Sequence, residues 1–278
     1  VSQSMPVPTN NITAAHPEEI GVQVSDVSKS FGADEARRTV LSGVTLSIRK
    51  GEFVTLIGPS GCGKSTLLKI VAGLSEADSG SVTIKGKSVR EASRHKAIGL
   101  VPQAPALLPS RTILENVTLP IKINSHANTG RALRDPRELL ESFGLGHAVD
   151  LYPSQLSGGM QQRAAIARAF VFDPEILLMD EPFSALDEMN RDQQRMGLLD
   201  FWQSNQKSVL FVTHSVPEAI MLSDRIVVMA AHPGRIARII DVDLPRPRRE
   251  AMYASDAFRD LETSVRASLR QGMEAAHV

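Results

Sequence analysis

The residues Gly58-Pro59-Ser60-Gly61-Cys62-Gly63-Lys64-Ser65 fit the pattern G-x-x-x-x-G-K-[ST]. Glycines at these positions let the backbone turn its N–H groups inward around phosphate oxygens. A helix beginning near Lys64 aims its positive N-terminal end at the same oxygens. Lys64 supplies a point charge for β- and γ-phosphates, and the Ser65 hydroxyl, followed by Thr66, is placed to ligate Mg²⁺. The chemistry implied is the capture of ATP with its metal. The bland reading is a Gly-rich turn with a chance lysine. A buried strand before the pattern and a helix after it favour the phosphate cradle.

Two further places have the right residue types. Ile176-Leu177-Leu178-Met179 runs straight into Asp180-Glu181. A buried strand ending in carboxylates delivers them to the ligand edge of an open α/β sheet. There Asp180 would hold Mg²⁺, and Glu181 would orient or deprotonate an attacking water. Strands commonly run into charged loops, so this segment gains weight only beside the cradle. His214 follows the apolar run 209–212 and Thr213, which brings it to the same edge. The other six histidines carry no such context and read as surface residues. Cys62 sits in the cradle near a helix N-terminus that favours the thiolate, yet it reads as a small tolerated residue.

These groups need strands that share an edge. Residues 52–57 are almost continuously apolar, as a strand buried on both faces of a parallel sheet is. The runs 98–101, 176–179 and 209–212 have the same character. Residues 20–27 and 44–48 instead alternate apolar and polar, as half-exposed strands do. Helices are expected at 64–72, 160–170, 188–203 and 217–222. From about 112 to 145 the text is helical, with Pro136 at a helix start and Gly144 and Gly146 past its end. Strands at 226–229 and 236–242 flank His232-Pro233-Gly234. Strands followed by helices predict an α/β fold with a mainly parallel sheet, interrupted by an inserted helical subdomain at about 105–160. Residues 1–19 are polar, carry Pro6, Pro8 and Pro17, lack the marks of a signal peptide, and read as a flexible N-terminal tail. Residues 245–278 read as a C-terminal tail, partly helical, in which Arg246, Arg248 and Arg249 form a charge cluster that reads as solvated, with contact to anionic lipid the alternative.

Composition narrows the function classes. The chain of 278 residues balances 31 Lys+Arg against 31 Asp+Glu, which argues against nucleic-acid binding by counterion release. A single cysteine, Cys62, excludes an intrachain disulfide and suits a reducing cytosol. No run reaches the roughly 18–20 apolar residues that span a bilayer. Any work at a membrane therefore requires a partner that holds the chain there.

Leu156-Ser157-Gly158-Gly159-Met160-Gln161-Gln162-Arg163 resembles the LSGGQ signature of the ATP-binding-cassette (ABC) ATPases. The order of elements matches that family too: phosphate loop, Gln103, signature, Asp180-Glu181, Ser184-Ala185-Leu186-Asp187, then His214. The resemblance covers about 20–240. It implies a P-loop NTPase (RecA-like) core with an antiparallel β subdomain and an inserted helical subdomain, the ABC ATPase domain spanning 20–244. By the same resemblance Phe31 stacks on adenine, and Gln103 senses Mg²⁺ and the water while touching a transmembrane partner. Asp187 communicates across a dimer, a role compatible with a first-turn acid of the next helix, and His214 contacts the γ-phosphate. Ser157, Gly158 and Gly159, at the N-terminus of a helix with unsatisfied N–H groups, would cover the nucleotide held by a second copy, head to tail.

Leu151-Tyr152-Pro153-Ser154-Gln155 before the signature, and Met160 within it, look like an importer. Leu107-Leu108-Pro109, His232-Pro233-Gly234-Arg235-Ile236 and Val242-Asp243-Leu244-Pro245-Arg246-Pro247-Arg248 resemble the nitrate/sulfonate/taurine importer group. The implied partners are a second copy of the chain, transmembrane permease subunits and, indirectly, a solute-binding protein, at the cytoplasmic face of the inner membrane. A cytosolic ABC ATPase of another class, lipid-extracting or mechanochemical, is the alternative. It is disfavoured by the lack of long coiled-coil insertions and of zinc-binding cysteine pairs. A non-enzymatic regulator is disfavoured because Lys64, Asp180, Glu181 and His214 are all present.

Overall fold

Two kinds of apolar patterning sort the strands into two sheets. Alternating strands form an antiparallel sheet: β1 (Ile20–Phe31) pairs with β2 (Arg38–Arg49), and β1 also pairs with β4 (Ser79–Ile84). The two-residue β5 (Lys87–Ser88) completes the order β2-β1-β4-β5. Val22, Val24, Leu46 and Ile48 are the buried halves of that alternation. The continuously apolar strands form the second sheet, in the order β10-β9-β3-β8-β7-β6. These are β3 (Phe53–Ile57), β6 (Ile98–Val101), β7 (Ile176–Asp180), β8 (Ser208–Thr213), β9 (Arg225–Ala230) and β10 (Arg235–Asp241). All neighbours in it are parallel except β9 and β10. The computed structural model describes residues 20–32, 37–184 and 188–274, the side chains of 188–194 and 274 excepted. Residues 1–19, expected as a flexible tail, and Asp187 lie outside the described residues.

Helices cover the parallel sheet. α1 (Lys64–Val71) follows β3, and α6 (Glu188–Asn205) and α7 (Val216–Leu222) flank β8 in sequence. A six-residue helix, α2 (Val89–Arg94), was not expected from the sequence. The Ser88 hydroxyl caps it by accepting from the Glu91 N–H, and Ala92 is its one buried residue, too little for a periodic signal.

The inserted block holds α3 (Ile113–Lys122), α4 (Pro136–Ser142) and α5 (Gly158–Phe170). Thr112 and Glu115 form a reciprocal capping box at the start of α3, and Asp135 caps α4 with Pro136 at its first position. Val117, Leu140 and Phe170 join Phe53 and Phe211 of the sheet in one hydrophobic core. The block is therefore welded to the sheet along α5.

The C-terminal segment departs from a tail. α8 (Asp256–Glu274) buries Phe258 and Val265 against Ile57, Ile220 and Val228. Arg248, expected in a solvated cluster, is 1% exposed. Its guanidinium donates to the carbonyls of Ile220 (2.9 Å), Ser223 (2.7 Å), Met221 (3.2 Å), Val242 (3.3 Å) and Leu244 (3.3 Å). Arg246 pairs with Asp224 at 2.7 Å and lies 4.2 Å over the Trp202 ring. Only Arg249 keeps an exposed pair, with Asp200. Carbonyl acceptors at the ends of α7 and β10 leave no trace in a residue-type pattern.

Candidate active site

Register alone places the chemistry. Ile57, the last residue of β3, faces Thr213 of β8, and Val212 faces Asp180 of β7. Met179 in turn faces Val101 of β6. Four parallel strands thus end on one line, and the residues just past them converge: Gly58, Glu181, His214 and Gln103. This is the carboxyl edge at which open α/β sheets bind ligands.

The loop after β3 turns on left-handed glycines, Gly61 at φ 77° and Gly63 at φ 92°. A Cβ on Gly58 would fall 2.7 Å from the Met229 carbonyl, so only glycine fits beneath β9. Gly63 caps α1 without a side-chain acceptor, and no acid occupies the helix's first turn. The first N–H groups of α1 therefore face the loop with their positive dipole end uncompensated. Lys64 is buried, its Nζ 2.8 Å from the Gly58 carbonyl and 3.0 Å from that of Pro59. Those contacts hold the ammonium inside the arc. Burial pushes the Cys62 thiol up, against the pull of Lys64, so the side chain is an inert filler and not a thiolate.

Across the edge, Ser65 Oγ donates to Asp180 Oδ1 at 2.9 Å. Burial raises the Asp180 pKa, the Ser65 hydrogen bond lowers it, and the neighbouring Glu181 charge raises it; the net direction is upward. A half-buried carboxylate held above its ordinary range, beside a hydroxyl, is a hard-oxygen pair that gains from a divalent cation. No cluster of three or more His, Cys, Asp or Glu suited to a metal exists among the described residues. Mg²⁺ takes one or two protein oxygens and completes its shell with phosphate and water, and Ser65 with Asp180 supplies oxygens of that kind.

Glu181 sits at φ 45°, a left-handed backbone uncommon for a non-glycine residue, fixed by its N–H donating to the Val212 carbonyl at 2.9 Å. Its Oε2 lies 3.3 Å from His214 Nδ1. Gln103 Nε2 reaches Ser184 Oγ at 3.4 Å, and Ser184 Oγ donates to the Glu181 carbonyl at 2.9 Å. The structure thus brings Gln103, Asp180, Glu181 and His214 around one spot. Behind His214, the Thr213 hydroxyl donates to buried Glu218 and accepts from the Ser215 N–H, setting the turn that carries the imidazole. Neither Thr213 nor Glu218 stood out in the sequence.

The cavity beside this edge measures about 460 Å³. Phe31 lines one end, half exposed, and Ser60, Gly61 and Gly63 to Thr66 line the other, with Glu181 on the wall. Ser157, Gly158 and Gly159 do not line it. Ser157 caps α5, accepting from the Met160 N–H, and a Cβ on Gly158 would meet nothing within 4 Å. Their surface is open to solvent, apart from the chain's own nucleotide end. Two other lining residues, Arg38 and His232, escaped the sequence reading because neither belongs to a strand-end pattern.

A phosphate-gripping loop at a parallel sheet's edge, faced by strand-end carboxylates, makes the molecule a P-loop nucleoside triphosphatase. The family model described as ABC transporter matches residues 41–184, and the chain belongs to that family as an ATP-hydrolysing subunit. It is 45% identical over 230 residues to an ABC transporter ATP-binding protein of Methanocaldococcus jannaschii, covering 83% of this chain and 85% of that one. It is 40% identical over 252 residues to the aliphatic sulfonates import ATP-binding protein SsuB of Bacillus thuringiensis, covering 90% of this chain and 96% of the relative. Among solved structures, a dimeric ATP-binding cassette, MJ0796, bound to ADP and Pi superposes with a TM-score of 0.69 at 33% identity, covering 81% of this chain and all of that one. No helix among the described residues is long and apolar enough to cross a membrane.

Proposed function

We propose that the chain is the ATP-driven motor of a membrane importer for a small solute of the sulfonate, taurine or nitrate kind. The observation that carries the hydrolytic part is the Glu181–His214 contact at 3.3 Å on the edge where Ser65 meets Asp180. Lys64 and the amides of 58–66 bind the phosphates, with Gly58, Pro59, Ser60, Gly61, Cys62, Gly63, Ser65 and Thr66 forming the arc, and Phe31 takes the adenine. Ser65 and Asp180, with Gln103, hold the metal, which when bound spreads the charge of the β- and γ-phosphates. Glu181 accepts the proton of the attacking water, and His214 fixes that water and the γ-phosphate.

The sulfonate relative, similar across nearly its full length, supports the importer reading. The cassette MJ0796, dimeric in two solved structures, supports self-association. In the pair we propose, head to tail, Ser157, Gly158, Gly159 and Asp187 of one copy serve the nucleotide of the other. ATP that touches both copies only when they are closed shifts the open–closed equilibrium toward closure, and hydrolysis releases it. The permease would dock on the inserted helical block and the Gln103 loop, and so hold the chain at the cytoplasmic face of the inner membrane. Co-expression with the permease subunits of a sulfonate importer tests the reading. Purified together in proteoliposomes with the matching binding protein, the complex is expected to take up an organosulfonate only with ATP and Mg²⁺. A chain that turns over ATP but never associates with a multi-spanning partner overturns the importer assignment.

A further inference from the structure

We infer that Arg38, held in place by His232, binds the α-phosphate of the nucleotide, a group present in both ATP and ADP. This rests on the reading of the 460 Å³ cavity as the nucleotide site. Three observations carry it.

The first is the ladder. Phe31 and Arg38 are direct partners across the antiparallel β1–β2 pair, so their side chains leave the same face. Two residues on, the Val40 carbonyl lies 3.2 Å from where a Cβ on Gly63 would stand, and Leu41 packs there too. Strand β2 therefore runs from the base end of the cavity to the phosphate loop, and Arg38 stands about 7 Å from that loop by strand rise. An extended arginine covers that gap, and both residues line the cavity.

The second is the hold on the guanidinium. Arg38 Nη2 lies 2.9 Å from His232 Nδ1. A guanidinium only donates, so Nδ1 must be the acceptor. The contact thus requires the tautomer that carries its proton on Nε2. An exposed arginine samples many rotamers, and ordering one costs up to about 2 kcal/mol. The imidazole meets part of that cost before any nucleotide arrives, which is pre-organisation.

The third is what seats His232. The turn between β9 and β10 is stitched to β2: the Gly234 N–H donates to the Val40 carbonyl at 2.9 Å, and the Ser42 N–H donates to the Gly234 carbonyl at 3.0 Å. A Cβ on Gly234 would stand 2.2 Å from the Cys62 carbonyl. The turn is thus wedged between β2 and the phosphate loop, and only glycine allows it. His232 itself has φ 58°, a left-handed position that His tolerates better than most residues. The last β-hairpin of the sheet is built into the nucleotide pocket. Lys64 at one end and Arg38 nearer the base are the two full cations among the described residues lining the cavity. A planar guanidinium matches phosphate oxygens better than any neutral group does. Arg38 is the nucleotide-binding residue and His232 a positioning residue.

The test is calorimetric binding of ATP, ADP and adenosine on the full chain. Arg38→Ala is expected to weaken ATP and ADP equally, by about tenfold, while leaving adenosine affinity unchanged. His232→Ala should cost about threefold, and nothing further in the Arg38→Ala background, because its effect passes through the arginine. His232→Asn, which keeps an acceptor and suits a left-handed backbone, should restore wild-type binding. Unchanged nucleotide affinity in Arg38→Ala, or loss confined to ATP, overturns the inference. Wild-type protein that binds no nucleotide, or Lys64→Ala that binds normally, overturns the pocket reading instead. Arg38 is exposed, and circular dichroism checks that each variant folds.

Discussion

Ser65 and Asp180, 115 residues apart in sequence, meet through a 2.9 Å hydrogen bond that ties the start of α1 to the end of β7. Asp180 is also a carboxylate whose pKa is raised, chiefly by burial. A raised carboxyl pKa means that the fold keeps a proton which the unfolded chain releases more readily. That contribution to stability is complete below the unfolded pKa and is lost as pH rises through the folded one. At neutral pH the ionised Asp180 therefore opposes folding.

Asp180→Asn is accordingly expected to raise the melting temperature of nucleotide- and metal-free protein near pH 7.5. The gain should fade as pH falls through the raised folded-state pKa, where the wild-type carboxyl takes up its own proton. The same variant should lose Mg²⁺-dependent turnover, because an amide is a poorer ligand for a hard cation. Scanning calorimetry in EDTA across pH, beside phosphate-release assays, reads both effects. A lowered melting temperature at pH 7.5 would show that the Ser65 hydrogen bond outweighs burial.

Glu181→Gln preserves the shape and the backbone anchor to Val212, so the fold and ATP uptake should persist. Steady phosphate release should drop by about 10²–10⁴-fold, the usual scale for removing a general base. Gel filtration with ATP should then reveal a trapped dimer. Sustained turnover would remove Glu181 from the role of base and return attention to His214.

Much of this was legible because the informative signals are local. Asp180, Glu181 and His214 each follow an unbroken apolar run, and parallel strands of such character must end on a shared edge. The phosphate loop is contiguous and carries its own backbone demands in Gly61 and Gly63. Arg248 was misread because burial of an arginine among carbonyls depends on two segments, the end of α7 at Ile220 and Ser223 and the stretch at Val242, that only the fold brings together. Arg38 and His232 were overlooked for the same reason, their meeting being set by the β2–Gly234 stitch 194 residues across the chain. α8 showed its amphipathic pattern, but nothing local said that its apolar face lies on β9.

Arg248→Met should test the weight of that anchor. Burial pulls the guanidinium pKa down to about 10, still well above neutrality, so the charge persists; its hydrogen bonds go to carbonyl oxygens, and the Asp224 carboxylate adds a favourable charge. Removing it strands several buried carbonyls, at about 1–3 kcal/mol for each one left unsatisfied. Chemical denaturation should show a loss of about 3 kcal/mol or more, with the C-terminal helix the first element to gain hydrogen exchange. A loss within about 0.5 kcal/mol, the usual range for a surface site, would return Arg248 to the solvated cluster.

The exposed cap of α5 offers the sharpest test of the proposed head-to-tail pair. Ser157→Arg puts a bulky cation on a surface that does not line the chain's own cavity. Monomer nucleotide affinity should stay within about twofold of wild type, while hydrolysis should fall to background, because the altered cap no longer covers the γ-phosphate held by a second copy. Lys64→Ala fails for the opposite reason: its cavity no longer holds the phosphates, but its own signature surface is intact. Mixed together, these two inactive proteins can form a heterodimer. In it the sound cavity of the Ser157→Arg copy faces the sound signature of the Lys64→Ala copy. One of the two composite sites is then whole, so the mixture should recover activity that neither protein has alone. A mixture as inactive as its parts, with heterodimer confirmed by mass spectrometry, would mean that Ser157, Gly158 and Gly159 do not act on the partner's nucleotide.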